Sequence, residues 1–313
     1  MTRSPASATA AAYSRDTGQG VAFGLAAYMM WGCFPLFFAL FQGVPAFEVL
    51  IHRVIWSCAF LAGLITLLGR WSPVRQALAE PRRLGRVLGC ALLIALNWGL
   101  YIYSVETHHV LQASLGYFMT PLVNVALGML VLRERMARLQ GVAVALAVLA
   151  IALQLMMLGE LPWISLALAF SFGTYGLLRK QVRLDGLSGL FVETLLLLPL
   201  ALMTLGWLTQ AELSHFLEEG RTTLLLIASG VITALPLLAF AGAARRLRLA
   251  TLGFLMYINP TIQFLIALWV FHEPLPAAQL ATFVLIWIGL ALYSWSAWHA
   301  HRRRATPQAA SRA

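Results

Sequence analysis

Charge is what this chain has least of. Only 11% of its 313 residues are Asp, Glu, Lys or Arg, while 60% are hydrophobic and the mean hydropathy is +0.80. Soluble globular domains carry roughly a quarter charged residues. No soluble core of this size can hide so much apolar surface, so the chain belongs in a membrane. Aspartate is scarcer still. Asp16 sits in a polar tail and Asp185 in a loop, which leaves the apolar segments without an aspartate for catalysis. The three cysteines, Cys33, Cys58 and Cys90, lie in apolar stretches and not in a CxxC pair, which excludes a disulfide framework or a cysteine metal site. There is no Walker A or other nucleotide motif, which argues against ATP as an energy source.

What the chain does have is apolar runs. A spanning helix needs about 20 mainly apolar residues. Ten such stretches follow one another, at roughly 20–40, 48–68, 85–105, 110–132, 139–158, 162–179, 187–208, 222–243, 249–271 and 277–298. The first nineteen residues, "MTRSPASATAAAYSRDTGQ", are small and polar and lack a signal-peptide core. They read as a disordered tail ahead of a retained first helix, and residues 299–313 as a second, basic tail.

The net charge of +10 is an orientation signal. Apart from Arg53 and Arg221, every Lys and Arg falls in the two tails or in the segments 70–86, 133–138, 179–183 and 245–248, which are alternate loops. The other loops hold Glu106, Glu160, Glu212, Glu218, Glu219 and Glu273. By the positive-inside rule both termini are cytoplasmic. A nucleic-acid role would need one contiguous basic face with stacking aromatics, and the sequence has none.

The chain also repeats itself. "ASLGYFMTPLVNVALGMLVLRE" at 113–134 returns as "ATLGFLMYINPTIQFLIALWVFHE" at 250–273, with two extra residues before the proline of the second copy. The spacing from Pro121 to Glu134 equals that from Pro260 to Glu273. A weaker echo pairs "GLAAYMMWG" (24–32) with "SLALAFSFG" (165–173). Two halves of five helices result, over 20–158 and 162–298. An odd number per half inverts the second, which puts Glu134 on the cytoplasmic side and Glu273 outside. Inverted repeats mark secondary transporters, with the solute site near the midplane.

The repeat singles out a face. Ser114, Tyr117, Pro121, Asn124 and Gly128 form one helical stripe, and their partners are Thr251, Phe254, Pro260, Gln263 and Ala267. Hydroxyl, aromatic, proline, amide and small residue match in turn. The two prolines interrupt their helices, and irregular backbone at membrane depth is tolerated where it lines a cavity or is buried. Two readings stand. In one, Asn124 and Gln263 with Tyr117 and Phe254 wall a central cavity. In the other, they are interhelical packing and amide bonds. Asn97 and Tyr101 of the third stretch and Tyr28 and Trp31 of the first extend the aromatic and amide lining. Such a lining suits small amphipathic or zwitterionic solutes.

Three ionisable residues stand inside the apolar stretches: His52, Arg53 and Glu193. In the repeat alignment "EVLIHRVIWS" falls on "GLFVETLLLL", which sets His52 against Glu193. Arg53 and Glu193 fall on opposite sides of the midplane, too far apart to pair directly. One reading has each snorkel to its nearer surface, Arg53 toward Glu48 or Glu106 and Glu193 toward Arg179, Lys180 or Arg183. The other has them guard opposite halves of one pathway, Arg53 tying the external gate and Glu193 carrying a proton.

The strings "AAYMMWGCFPLFF", "PAFEVLIHRVIWS", "NWGLYIYSVETHHVLQASLGYFMTPLVNVALGMLVLRERM", "LALAFSFGTYGLLRKQV" and "RLRLATLGFLMYINPTIQFLIALWVFHEPL" resemble the RarD branch of the EamA transporters, in the drug/metabolite transporter superfamily. The resemblance covers about residues 20–298. It implies an all-α polytopic protein of the bacterial inner membrane, with ten helices in two inverted five-helix repeats. It also implies efflux of drugs or small metabolites, with the first four helices of each half around a cavity and the fifth peripheral. The chain departs from the family pattern at Ala39, where lysine follows the aromatic pair in many relatives.

Other classes fit less well. "GLSG" at 186–189 matches the GxSG of intramembrane serine proteases, but Ser188 lies at the rim beside a charged loop and no histidine is placed to face it. His108–His109 and His299-Ala300-His301 lack further ligands for a metal. A non-transporting sensor or receptor is the main alternative, though no soluble domain is appended. The expectation is therefore a secondary transporter that exports a small amphipathic solute, without metal, cofactor or nucleic acid, as a monomer or homodimer in the bilayer.

Overall fold

The structure is a computed structural model. It describes the backbone of residues 5–132, 138–182, 184–244, 246–247, 251–252 and 255–305, and the side chains among these except 5–17, 129, 131–132, 180 and 297–305. Among the described residues there is no β-strand. The described residues include the helices α1 (Pro5–Gly32), α2 (Phe34–Phe38), α3 (Ala46–Leu67), α4 (Trp71–Ala79), α5 (Pro81–Glu106), α6 (Val110–Leu132), α7 (Arg138–Leu158), α8 (Trp163–Val182), α9 (Gly186–Gln210), α10 (Gly220–Ala244), α11 (Ile258–Trp269) and α12 (Ala277–Ala305).

Eight segments are long and apolar enough to cross a membrane: one through α1 and α2, and those in α3, α5, α6, α7, α9, α10 and α12. The sixth and ninth expected stretches are the helices α8 and α11, which are not among the eight, and α11 is only 12 residues long.

Local chemistry sets several helix ends. Proline opens α5, where its fixed φ and missing N–H suit a first turn. Asp185 caps α9 by accepting the Ser188 N–H at 3.1 Å. Helix α1 begins well before residue 20 because "ASATAAAYSRDTG" is alanine-rich and holds no interior breaker, so helical backbone covers most of the expected tail.

The two prolines of the repeat behave differently. Helix α6 runs through Pro121 without a break, whereas Pro260 stands in the first turn of α11, directly after a turn at Met256 and Tyr257. The two extra residues of the second copy fall at that turn. They allow the chain to bend before the proline, so the ring meets no preceding helical turn.

The halves interleave. Taking α1, α3, α5, α6 and α7 as the five helices of the first half and α8 to α12 as those of the second, the largest contacts between elements run across the halves and follow a two-fold exchange. α6 packs on α8 as α11 does on α1, α5 on α8 as α10 does on α1, and α3 on α10 as α9 does on α5. The symmetric pairs α3–α9, α6–α11 and α7–α12 complete the set. Such an exchange is what two repeats related by a two-fold axis produce, with α7 and α12 packed chiefly on each other.

The bundle has two chemically distinct ends. At the acidic end Glu48, with no exposed surface, accepts the Ser214 hydroxyl (3.1 Å), the His215 N–H (2.7 Å) and a bond from the His215 ring (2.8 Å). Glu106 accepts the Ala46 N–H at the start of α3 (3.0 Å). Glu273 accepts the Val110 and Leu111 N–H groups at the start of α6 (2.6 and 2.8 Å), where orphan helical donors need acceptors. Burial raises the Glu273 carboxyl above its ordinary value in spite of these two amides. At the basic end Arg70 pairs with Asp185 at 3.3 Å and Arg83 donates to the Val182 carbonyl at 3.0 Å. Burial pushes the Asp185 carboxyl up, but Ser188 and Arg70 outweigh it and leave it below its ordinary value.

Candidate functional site

Arg53 lies on α3, 3% exposed, and reaches neither end of the bundle. Its Nε donates to Thr233 Oγ1 on α10 at 2.7 Å. Its guanidinium carbon stands 4.1 Å from the Trp98 ring centroid, 5.4 Å from Phe38 and 5.6 Å from Phe34. Arg53 pairs with neither Glu48, which bonds Ser214 and His215, nor Glu106, which bonds the Ala46 N–H. A ring face offers a desolvated cation what water would otherwise supply, by roughly 2 kcal/mol or more at the best sites. Among the described residues no carboxylate forms an ion pair with Arg53, and its Nη1 has no hydrogen-bond partner.

From this cage an aromatic series leads toward the basic end. Tyr101 stands 6.0 Å from Phe38 and 5.8 Å from Tyr117, Tyr117 stands 6.1 Å from Phe172, and Phe172 stands 6.0 Å from Tyr175. The Tyr175 hydroxyl donates to Glu193 Oε2 at 3.3 Å, and Arg179 faces Glu193 Oε1 at 3.5 Å. Glu193 has no exposed surface. It turns to Arg179, as the snorkelling reading anticipated, yet it also closes a continuous aromatic line that begins at Arg53. Arg53 and Glu193 share no direct ion pair, as their predicted depths required.

The other residues singled out in the sequence divide by role. Asn97 is 1% exposed and spends its amide on protein, donating to the Leu168 carbonyl (3.1 Å) and Ser171 Oγ (3.0 Å) and accepting from the Tyr117 hydroxyl (3.1 Å). It therefore ties α5, α6 and α8 together. Gln263 is buried and donates to Asn259 Oδ1 at 2.8 Å and to the Trp31 carbonyl at 3.5 Å, whereas its repeat partner Asn124 is exposed. Tyr28 and Trp31 form a second aromatic group with Phe240 of α10, at centroid distances of 5.5 to 6.1 Å. His52 stacks on Phe216 at 4.7 Å and accepts from Trp56 Nε1 at 3.3 Å, which keeps it apart from Glu193. Phe254 and Glu134 lie outside the described residues. Ser188 serves the cap of α9, and no described histidine bonds it.

Four residues at the centre escaped the sequence reading: Trp98, Thr233, Phe34 and Phe38. Trp98 carried a signal, since it lies three residues before Tyr101 and so shares its face. Phe34 and Phe38 share a face by the same rule. Thr233 carried none, being an isolated hydroxyl in an apolar run.

The comparisons with known proteins agree with this architecture. Residues 18–156 match the model of the EamA-like transporter family. The chain is 45% identical over 292 residues to "Protein RarD" of Salmonella typhimurium, covering 93% of this chain and 99% of that one. It is 45% identical to an "Uncharacterized transporter" of Vibrio cholerae, over 92% of this chain and 97% of that one. A "Chloramphenicol-sensitive protein RarD" of Pseudomonas aeruginosa is 34% identical, over 93% and 98%. A solved crystal structure superposes with a TM-score of 0.55 at 18% identity, covering 87% of this chain and 96% of that one, and so shares the fold. With its interleaved inverted halves, the chain belongs to the EamA-like transporter family of membrane proteins, in the RarD branch.

Proposed function

We propose that the protein is a secondary active exporter of a small amphipathic metabolite or drug. It works by alternating access between its two halves and is driven by protons through Glu193. The observation that supports this reading is the pair of buried charges, Arg53 and Glu193, joined by one aromatic series between interleaved halves. A carboxyl in an apolar pathway is cheap to bury when protonated and costly when ionised, so proton exchange at Glu193 biases which side is open. Following the positive-inside rule, the basic end faces the cytoplasm of the inner membrane, with both termini inside.

The test uses purified protein in liposomes with an imposed pH gradient and a panel of labelled amphipathic solutes, chloramphenicol among them. Flux by the wild type should follow the gradient. Glu193→Gln keeps the size of the side chain and an acceptor for Tyr175 while removing the charge, so exchange should persist and uphill transport should stop. Uphill transport by that variant with unchanged pH dependence would refute the proton-carrier role. Ligand binding without flux in the wild type would favour a sensor.

A further inference from the structure

Among the described residues, the buried carboxylates each face a cation, a hydroxyl or backbone amides, whereas the buried Arg53 faces no carboxylate. Glu193 has Arg179 and Tyr175, Glu48 has Ser214 and His215, and Glu273 has two backbone amides. Arg53 has only the Thr233 hydroxyl, and its Nη1 is a buried donor with no acceptor. Next to it stands a second orphan. Tyr101 is 3% exposed, interacts electrostatically with the guanidinium, and has a buried hydroxyl without a partner. An uncompensated charge in a low-dielectric interior is expensive to keep, and an unpaired donor beside it adds to the cost. A ligand that brings acceptors and a negative charge would supply what this pair lacks.

The missing group can be read from the donors. Guanidinium and phenol both offer hydrogens, and the guanidinium presents them in a planar fork that fits a carboxylate. A carboxylate brings one negative charge and two acceptor oxygens, one for each orphan. Around the donors the walls are apolar rings, Trp98, Phe34 and Phe38, which would take a flat or aliphatic body. Among the described residues no carboxylate pairs with the cage cation, so nothing there would meet an ammonium. A doubly charged phosphate would leave a charge unmatched.

We propose that Arg53 and Tyr101, within the Trp98, Phe34 and Phe38 cage, bind the carboxylate of an organic monoacid with an apolar or aromatic body, and that this acid group is what the transporter recognises. The role as a transport site rests on the exporter reading above, whereas the binding chemistry does not. Phe34 and Phe38 both belong to α2, a five-residue helix, so movement of that one short segment would open the cage.

The experiment compares three probes with one body: phenylacetate, phenylacetamide and phenethylamine. Binding of labelled phenylacetate to purified protein in nanodiscs is measured by equilibrium dialysis, with the other two as competitors. Phenylacetate should bind saturably, and the amide and the amine should compete at least roughly tenfold more weakly. Arg53→Met should abolish binding and Arg53→Lys should restore part of it. Tyr101→Phe removes only a hydroxyl that has no partner in the protein, so it should fold normally, as judged by size-exclusion profile and apparent Tm, and still bind several-fold more weakly. This variant keeps the test decisive if Arg53→Met does not fold.

Equal competition by amide and carboxylate would overturn the proposal, as would wild-type binding by Tyr101→Phe and Arg53→Lys together. So would the absence of saturable binding by phenylacetate, hexanoate and benzoate up to about 10 mM, beyond the weak end of specific affinity. Flux in liposomes separates the two readings. Binding with this selectivity but no flux sinks the exporter and leaves the site. Flux of neutral solutes without carboxylate selectivity sinks the site and leaves the exporter.

Discussion

Gly230 of α10 packs tightly on the backbone of α3 beside Arg53, and replacing it with alanine should disturb both stability and the cage. A methyl group there would collide with the Trp56 carbonyl carbon and sit 2.5 Å from the Ser57 backbone nitrogen. Both obstacles are main chain of α3, so no rotamer change relieves them. To bring the Ser57 contact to an ordinary 3.4 Å the helices must part by at least about 0.9 Å, and the nearer Trp56 carbon requires more. Two bonds span the same interface, Ser57 Oγ to the Gly230 carbonyl at 3.3 Å and Arg53 Nε to Thr233 at 2.7 Å. Parting by that amount would stretch them to roughly 4.2 and 3.6 Å, beyond hydrogen-bond range. Overpacking costs typically 1–3 kcal/mol, and interhelical bonds in a membrane average about 0.6 kcal/mol each. The sum is roughly 2–4 kcal/mol, which should lower the apparent Tm of the detergent-solubilised protein by several degrees, on the order of 2–4 °C per kcal/mol. The control is Gly63→Ala on the same helix α3, where an added methyl meets nothing within 4 Å. That change should be neutral or stabilising, since alanine is the better helix former by about 1 kcal/mol. Equal Tm values for the two variants would refute the close approach of α3 and α10, and with it the geometry that holds Arg53.

Four further outcomes are expected. Reporter fusions after Arg86, Arg138, Arg183, Arg248 and Arg304 should report cytoplasm and those near His109, Glu160, Glu219 and Glu273 the exterior; two neighbouring loops on one side would break the five-plus-five count. Asn97→Leu removes three interhelical bonds and strands the Tyr117 hydroxyl, so it should cost about 2 kcal/mol in unfolding by denaturant. Asp185→Ala removes the α9 cap and should cost about 1 kcal/mol. Because the folded-state carboxyl lies below its ordinary value, the wild-type advantage is fully present above the ordinary aspartate range and is lost only as pH falls through the lowered value. Glu273→Ala should raise hydrogen exchange at the Val110 and Leu111 amides by roughly tenfold, about 1.4 kcal/mol, and unchanged protection would show that the carboxylate does not hold that helix start.

Much of the architecture was legible because hydrocarbon leaves few options. Apolar runs must be helices, and the alternation of Arg-rich with Glu-bearing loops orders their ends. The shared "LGY" and "LGF" segments, each with a following proline and a glutamate at equal spacing, disclosed the inversion. Details that depend on local balance were not visible. Helix α4 hid inside a basic loop because its nine residues, though amphipathic, are too few and too polar to read as a spanning run. The extra residues before Pro260 announced an irregularity, but whether they bulge a helix or restart one depends on what packs there. The destination of Arg53 was hidden for another reason. Its hydroxyl partner is 180 residues away and its best ring comes from another helix, so no pattern on α3 specified them. Asn97 shows the reverse: its stripe was visible, while its complete use by Leu168, Ser171 and Tyr117 emerges only when α5, α6 and α8 meet.

Among the described residues, the ties between the halves differ in kind at the two ends. At the acidic end the bonds across the halves use carboxylates with little or no exposed surface, Glu48 on the turn after α9 and Glu273 on the start of α6. Charged groups bonded to backbone amides away from water are worth more than neutral contacts. The Glu273 clasp is flanked by His108 and His272, both non-glycine residues with positive φ, at 56° and 53°. Such conformations cost of order 1–3 kcal/mol and persist only where surrounding contacts enforce them. At the basic end the described ties across the halves include Arg70–Asp185, whose side chains remain 35% and 34% exposed, and the bond from Arg83 to a carbonyl. An exposed pair of that kind is worth about 0–1 kcal/mol. The Arg179–Glu193 contact joins α8 to α9 and so lies within one half, which leaves it intact when the halves separate. In the proposed orientation the carboxylate clasps are external, so release outside by the proposed exporter would require something to offset the loss of the Glu48 and Glu273 bonds. The proposed anion at Arg53 and the proposed proton at Glu193 are the two changes in charge that would serve that purpose.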